Sequence, residues 1–302
     1  MILYFLSVPQ TVLLKNGEKA GNLDKLLKVT ATDSDVFTFL SPDFVPFSLN
    51  FSAPPTLPDV TLYEYNGGYV VDVDEPRRVA TDFYFKKSLG QNAFITLSQA
   101  FGVAITLVIN GVALRLIDNF RPDTADTEIV PVFNERLVKL TLSNDKTTRL
   151  YLFGFDGKPY LKFKNDVSSY TFDGGFYTKT NLYDLKDSVL TVKWTTANGE
   201  LTVDGFERTE RSDRTFSDEF TPLLFLEDLL YSGNPQKYLS EELSARFDDL
   251  KAFIGDFSHA MPPPDYEKGV FLVCEKTGYK RFKAKPFRFE IVGGIITGIQ
   301  KL

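Results

Sequence analysis

Only one stretch of this chain has the apolar spacing of α-helix, and that commits nearly everything else to strand. In TPLLFLEDLLYSGNPQKYLSEELSARFDDLKAFIG, residues 221–255, Leu223, Leu226, Leu229 and Leu230 fall on one side of a first helix. Thr221 is placed to cap it, Pro222 suits a first position where a missing N–H costs nothing, and Gly233 supplies a left-handed stop. A second helix is predicted after Ser240, with Glu241 and Glu242 at the positive end of its dipole. Leu243, Phe247, Leu250 and Ile254 form its stripe and Gly255 ends it. Two one-sided helices need a cover, and the rest of the chain offers only strands to provide it.

Those strands are written in aromatic residues. The 302 residues include 28 Phe and 14 Tyr but 1 Trp, 1 Cys and 1 His, a balance that suits half-buried pleated surfaces. Turns at Asn16-Gly17, at Asn66-Gly67 or Gly67-Gly68, and at Asn110-Gly111 each sit between strand-like runs, the pattern of tight hairpins. The proline- and acid-bearing FRPDTADTEIVPVFNE reads as a boundary, and the charged, aperiodic ERTERSDRTFSDEF reads as a linker. The expected fold is therefore mostly β and multidomain. Two antiparallel β-sandwich-like units, 1–134 and 135–216, precede a small α+β domain, 217–302, with a helical hairpin on an antiparallel sheet. Tyr63 to Gly111 and Tyr151 to Gly199 share one spacing, which makes the second β unit a candidate degenerate repeat of the first.

The last unit carries a resemblance. A helical pair containing LLYSGNPQKYLSEEL, then a sheet ending PFRFEIVGGIITGIQ, resembles the nuclear-transport-factor-like and SnoaL-like α+β cone domains. Phe287, Phe289, Gly294, Ile295 and Ile296 carry the likeness. It spans the C-terminal unit alone, which is shorter than the usual domain of that family. In that family the pocket is variously catalytic, ligand-binding or a scaffold, so the resemblance implies a fold and a possible small-ligand pocket rather than an activity.

The chemistry is bounded mainly by what is missing. One His and one Cys leave no Cys-His zinc cluster, no intrachain disulfide, and only His259 for any His-dependent triad. No Gly-rich nucleotide loop, GxSxG or calcium-loop spacing occurs, so no cofactor, metal or catalytic residue is expected. His259 reads as an ordinary surface histidine. Carboxylate chemistry remains open among 40 acidic residues. The net charge of −6 disfavours nucleic acid as the main partner.

Two surfaces stand out. In VTLYEYNGGYVVDVD a two-residue turn puts Tyr63 and Tyr65 on one face with Asp72 and Asp74, two rings beside two carboxylates that suit a hydroxylated ligand such as carbohydrate. In YKRFKAK, Tyr279, Arg281, Lys283 and Lys285 share a strand face by period two and suit an anion or the acidic preceding domains.

The expected role is non-catalytic binding or assembly, with protein or carbohydrate as partner. The rival readings are a carboxylate-dependent enzyme and a phage or cell-surface structural component. MILYFLSVPQTVLL lacks the basic n-region and cleavage site of a signal peptide, and no run is long enough to span a membrane. The default expectation is a soluble cytoplasmic protein, although a secreted chain lacking its leader has the same pattern.

Overall fold

The computed structural model describes residues 1–52, 60–73, 83–99, 102–118, 120–145, 147–182 and 184–302. The chain is mostly β and divides into two compact units, Met1–Val79 with Thr215–Leu302, and Ala80–Arg214.

The N-terminal segment supplies β1 (Ile2–Phe5), β2 (Val12–Lys15), β3 (Glu18–Asn22), β4 (Leu27–Thr30), β5 (Val36–Leu40), β6 (Phe47–Asn50), β7 (Thr61–Tyr65) and β8 (Gly68–Asp72). Strands β3-β2-β5-β6 make a four-stranded sheet, while β1, β4, β7 and β8 enter a larger one. The β7–β8 hairpin turns on Asn66 (φ 48°) and Gly67 (φ 68°), the left-handed pair that a type I′ turn needs. Parallel pairing of β8 with β1 explains Gly68, where a Cβ would lie 1.8 Å from the Ile2 carbonyl oxygen. Leu3, Phe5, Leu62 and Val71 face Leu13, Phe37, Phe39 and Leu49 of the small sheet in one buried cluster.

The middle unit is three consecutive meanders. They are β9 (Tyr84–Gly90), β10 (Ala93–Gln99), β11 (Val103–Ile109) and β12 (Val112–Asp118); then β13 (Thr124–Val132), β14 (Glu135–Ser143), β15 (Thr148–Asp156) and β16 (Lys158–Val167); then β17 (Ser169–Thr171), β18 (Phe176–Asn181), β19 (Val189–Ala197) and β20 (Glu200–Thr209). Each sheet pairs only strands adjacent in sequence. Val138, Leu140, Leu142, Tyr151 and Phe153 of the second sheet pack on Ile95, Leu97, Ile105 and Leu107 of the first. Leu137, Leu150, Leu152 and Phe163 pack on Phe176 and Trp194 of the third. The second sheet is thus buried on both faces, which is why β15 reads as the nearly unbroken apolar run LYLFGF.

The C-terminal segment begins with a 3₁₀ turn, Asp218–Phe220, followed by α1 (Thr221–Leu230), a 3₁₀ turn at Pro235–Tyr238, α2 (Glu241–Ala245) and α3 (Phe247–Ile254). Then come β21 (His259–Met261), β22 (Val270–Gly278), β23 (Arg281–Val292) and β24 (Ile295–Lys301). Phe225, Leu226, Leu250 and Ile254 fill one face of the sheet against Phe271, Val273, Phe287 and Phe289. Gly293 (φ 57°) and Gly294 (φ 77°) make the last hairpin turn. Three details differ from expectation. Thr221 is already helical, with Phe220 at the cap, and its hydroxyl donates to the Gly294 carbonyl at 3.4 Å. Ser232 (φ 56°), not Gly233, takes the left-handed stop; Gly233 is required because a Cβ there would lie 2.6 Å from the Asp228 carboxyl carbon. The second helix starts after Ser240 as expected, with the Ser240 side chain accepting from the Leu243 N–H, but it breaks at Arg246.

The expected domain limits need correction. Along one flank β23 pairs with β22, and along the other it is shared between β24 and the parallel strand β7. One sheet, β21-β22-β23-β7-β8-β1-β4, therefore joins the two ends of the chain, and 217–302 has no sheet to itself. The expected limit at 134 falls inside the β13–β14 turn, between the paired residues Val132 and Glu135. The acidic run before it is an edge strand: Pro131 is tolerated there, and Asp126 and Glu128 are ion-paired to Lys87 and Lys139. Gly111 and Gly199 each turn the last hairpin of a four-stranded sheet, but Tyr63 lies in the other unit, so the shared spacing marks no structural repeat.

Candidate functional site

The β7–β8 hairpin has the expected register, with Tyr63 opposite Val70 and Tyr65 opposite Gly68. Its tyrosine face, however, is not a surface. Tyr63 and Tyr65 are each only 8% exposed and belong to a buried cluster with Tyr4, Leu272, Cys274 and Ala284. The reason is the non-local pairing of β7 with β23. It stacks Phe282 on Tyr63 at 5.3 Å between ring centres and brings the His259 ring edge-on to Tyr63 at 5.5 Å. The segment after β21 ties back across the sheet, where Asp265 accepts from the Tyr4 hydroxyl and pairs with Lys28 at 3.1 Å. Asp72 is half-buried, and Asp74 lies outside the described residues. The two rings are core, and the saccharide surface expected of them is absent.

His259 is likewise part of this cluster rather than a surface histidine. Its Nδ1 lies 3.1 Å from the Ser258 hydroxyl, which donates to the Cys274 carbonyl, while its buried Nε2 has no hydrogen-bond partner among the described residues. Burial holds its pKa below the ordinary imidazole value. Cys274, opposite His259 in register, is pushed up to about 12 by burial and is an unreactive thiol.

The basic stripe is present in part. Arg281, Lys283 and Lys285 alternate along β23 on one face. Tyr279 does not join them; it stands 58% exposed in the β22–β23 turn beside the left-handed Lys280 (φ 51°). Lys285 is ion-paired to Glu275 at 2.5 Å, and Lys283 lies between Glu275 and Glu64 in cross-strand register. The Lys285 hydrogen bond, helped by nearby Lys283 and Lys301, lowers the Glu275 pKa. The stripe thus meets carboxylates of its own sheet.

A dense polar cluster, contributed by separate strands and legible in no single stretch of sequence, centres on Asp118. Buried Asp118, at the end of β12, accepts from Arg149 Nη1 at 2.6 Å, Tyr151 Oη at 2.8 Å and the Phe120 N–H at 2.9 Å, and pairs with Lys164 at 2.6 Å. Arg149 also forks onto Asp166 at 2.5 and 2.7 Å, and its guanidinium lies 4.7 Å from the centre of the Phe120 ring. Burial alone would raise the Asp118 pKa; the donors outweigh it and hold the carboxyl at about 2. Four donors occupy the four lone-pair sites of this carboxylate, which is ionised at any physiological pH. It ties the first sheet of the middle unit to the second and has no capacity left for a substrate.

The outer face of the β9–β12 sheet is different in kind. Register places Lys86, Thr96, Thr106 and Arg115 in one row across it, with Ser88, Phe94, Val108 and Ala113 in the next. Tyr84 and Ile117 stand 70% and 78% exposed at its far end. A shallow, open depression lies at the near end, lined by Lys86, Ser88, Phe94, Gln91, Asn92 and Asn110. The Asn110 N–H donates to the Asn92 carbonyl at 2.8 Å, which fixes the two turns side by side. Lys86 lies 5.8 Å from the Phe94 ring centre. Neither Lys86 nor Arg115 forms an ion pair among the described residues, whereas the next residue, Lys87, is paired to Asp126. No group of three or more His, Cys, Asp or Glu among the described residues is arranged to hold a metal. No helix among them is long and apolar enough to cross a membrane. Compared with known protein families, with curated proteins and with solved structures, the chain matches none.

Proposed function

We propose that this is a non-catalytic binding protein built from tandem β modules, with the outer face of the β9–β12 sheet as its binding surface. One observation carries the reading. Two exposed rings and two cations without carboxylate partners among the described residues share that face, while the buried carboxylate of Asp118 is already saturated by the fold. General acid–base work needs a group whose pKa sits near the working pH and whose lone pairs are available. Asp118 has neither property. The reading predicts saturable, reversible binding of a ligand by the intact chain on glycan and peptide arrays, with no ligand consumed. Turnover that disappears in Asp118→Asn, with the fold retained, overturns it in favour of a carboxylate enzyme.

A second reading, a structural component of a phage or cell-surface assembly, draws on β12. This edge strand, VALRLID, pairs with β11 without a bulge and carries one charge before Asp118. Such an edge is a template for another chain. Concentration-dependent sedimentation that Leu114→Pro abolishes would favour assembly over ligand binding.

A further inference from the structure

We propose that the outer face of the β9–β12 sheet binds a carboxylated saccharide laid across the strands from the Phe94 depression to Arg115; this rests on the binding reading above. Three features of the face select that chemistry. The first is charge. The chain carries net −6, yet this face holds Lys86 and Arg115 with no acidic side chain in its three cross-strand rows, which run from Tyr84 to Ile117, from Lys86 to Arg115 and from Ser88 to Ala113. Cations left without carboxylates on a surface select an anion.

The second is spacing. Lys86 and Arg115 are three strand intervals apart in one row, roughly 14 Å at the usual inter-strand distance. Thr96 and Thr106 lie between them, so the row alternates cation, hydroxyl, hydroxyl, cation. A linear chain of uronate units offers carboxylates at regular intervals with hydroxyls between, and meets such a row end to end. Arg115 can take a carboxylate through its planar fork, and Lys86 as a point charge.

The third is the depression. Phe94, with a partly exposed ring, lines it together with the amide-bearing residues Gln91, Asn92 and Asn110. Ring faces pack on the C–H faces of sugars, and amides both donate to and accept from hydroxyls. A single-stranded nucleic acid would also use rings and cations, but a strand tracked along its phosphates needs a continuous positive groove, and two cations do not make one.

Isothermal titration of the full chain with a galacturonate hexamer tests this, alongside a neutral galactose hexamer and the oligonucleotide (dT)12. The expected result is binding of the galacturonate hexamer that weakens with added salt, with little binding of the other two. Lys86→Glu/Arg115→Glu should weaken it at least tenfold, and Phe94→Ala several-fold, with thermal melts matching wild type. Lys25→Glu/Lys276→Glu, which changes net charge equally elsewhere, should leave affinity within twofold. Absence of galacturonate binding by the wild type, or equal loss in both double variants, overturns the assignment. Tighter binding of (dT)12 with the same sensitivity to the variants overturns it in favour of nucleic acid. Shortened hexamer in the titration mixture would instead overturn the non-catalytic reading, so the two failures are told apart.

Discussion

The two compact units bury apolar sheet faces by opposite routes. In Ala80–Arg214 every strand pairs with its neighbour in sequence, and three meanders stack through side chains alone. In the other unit, a parallel pairing of β1 with β8 closes the N-terminal segment on itself, and the parallel pairing of β7 with β23 stitches the first 72 residues to the last 22. Two buried groups, one in each unit, differ in their partners: four donors surround Asp118, while the Nε2 of His259 has no partner among the described residues. Local pairing makes for rapid, separable folding, and pairing between distant segments makes both depend on each other.

Breaking the Asp118 network should have the largest effect. Asp118→Ala leaves Arg149 and the Tyr151 hydroxyl buried with lost partners, and removal of one member of a buried pair costs about 3–5 kcal/mol. Urea denaturation of the two proteins at neutral pH measures it. A loss under about 1 kcal/mol would mean that Asp166 alone satisfies Arg149 and that the contrast between the units is overstated.

Leu250→Ala probes the other unit. Leu250 is buried between α3 and the sheet, so truncation should cost about 2–5 kcal/mol. The distinguishing readout is where protection is lost. Hydrogen exchange should quicken in β7 and β8 together with β22 and β23, because they share one sheet, and should remain unchanged in β14 and β15. Loss confined to residues 221–302 would show that the C-terminal segment opens by itself.

What was legible follows the same division. The hairpins turning at Asn16-Gly17, Asn110-Gly111 and the Asn66-Gly67-Gly68 stretch were readable because a turn and its flanking alternation lie within a dozen residues. The helices and the burial of Leu250 and Ile254 followed from local periodicity. Tyr63 and Tyr65 were misread because alternation says which residues share a face and not what covers it; Phe282 and His259 arrive from the far end of the chain. The run FRPDTADTEIVPVFNE passed for a boundary because its charges are neutralised by lysines on other strands. The β9–β12 surface combines side chains contributed by four strands, and no single stretch of sequence shows that Lys86 and Arg115 share a row.

Acid should separate the two buried groups by the pH at which each fails. The folded pKa of His259 lies below the ordinary 6.5. The unfolded chain therefore takes up this proton first, and stability present above pH 6.5 is lost as pH falls from there toward the depressed folded value. Asp118, held at about 2 against an ordinary 3.8, retains its contribution above 3.8 and loses it between 3.8 and about 2. His259 is the chain's sole histidine, so urea midpoints measured from pH 7.5 to 5 should decline in wild type and flatten in His259→Phe. An equal decline in both proteins would place the titrating group elsewhere.

The smallest effect belongs to the basic stripe, and it sharpens the comparison with the β9–β12 face. Lys283 is exposed and flanked by Glu275 and Glu64 in register, a cross-strand arrangement worth about 0.2–1 kcal/mol. Lys283→Gln should therefore destabilise by less than about 1 kcal/mol at low salt, and the difference should shrink in about 1 M salt as screening sets in. Lys283→Glu places three carboxylates in one row and should cost more than the neutral change, again with salt dependence. Neither Lys86→Gln nor Arg115→Gln should show that salt-dependent loss, because neither cation has a carboxylate partner among the described residues. A cation set in register between carboxylates registers in stability, and one without them registers in affinity. If Lys86→Gln destabilises as much as Lys283→Gln, Lys86 serves the fold, and the case for its meeting an external anion falls with it.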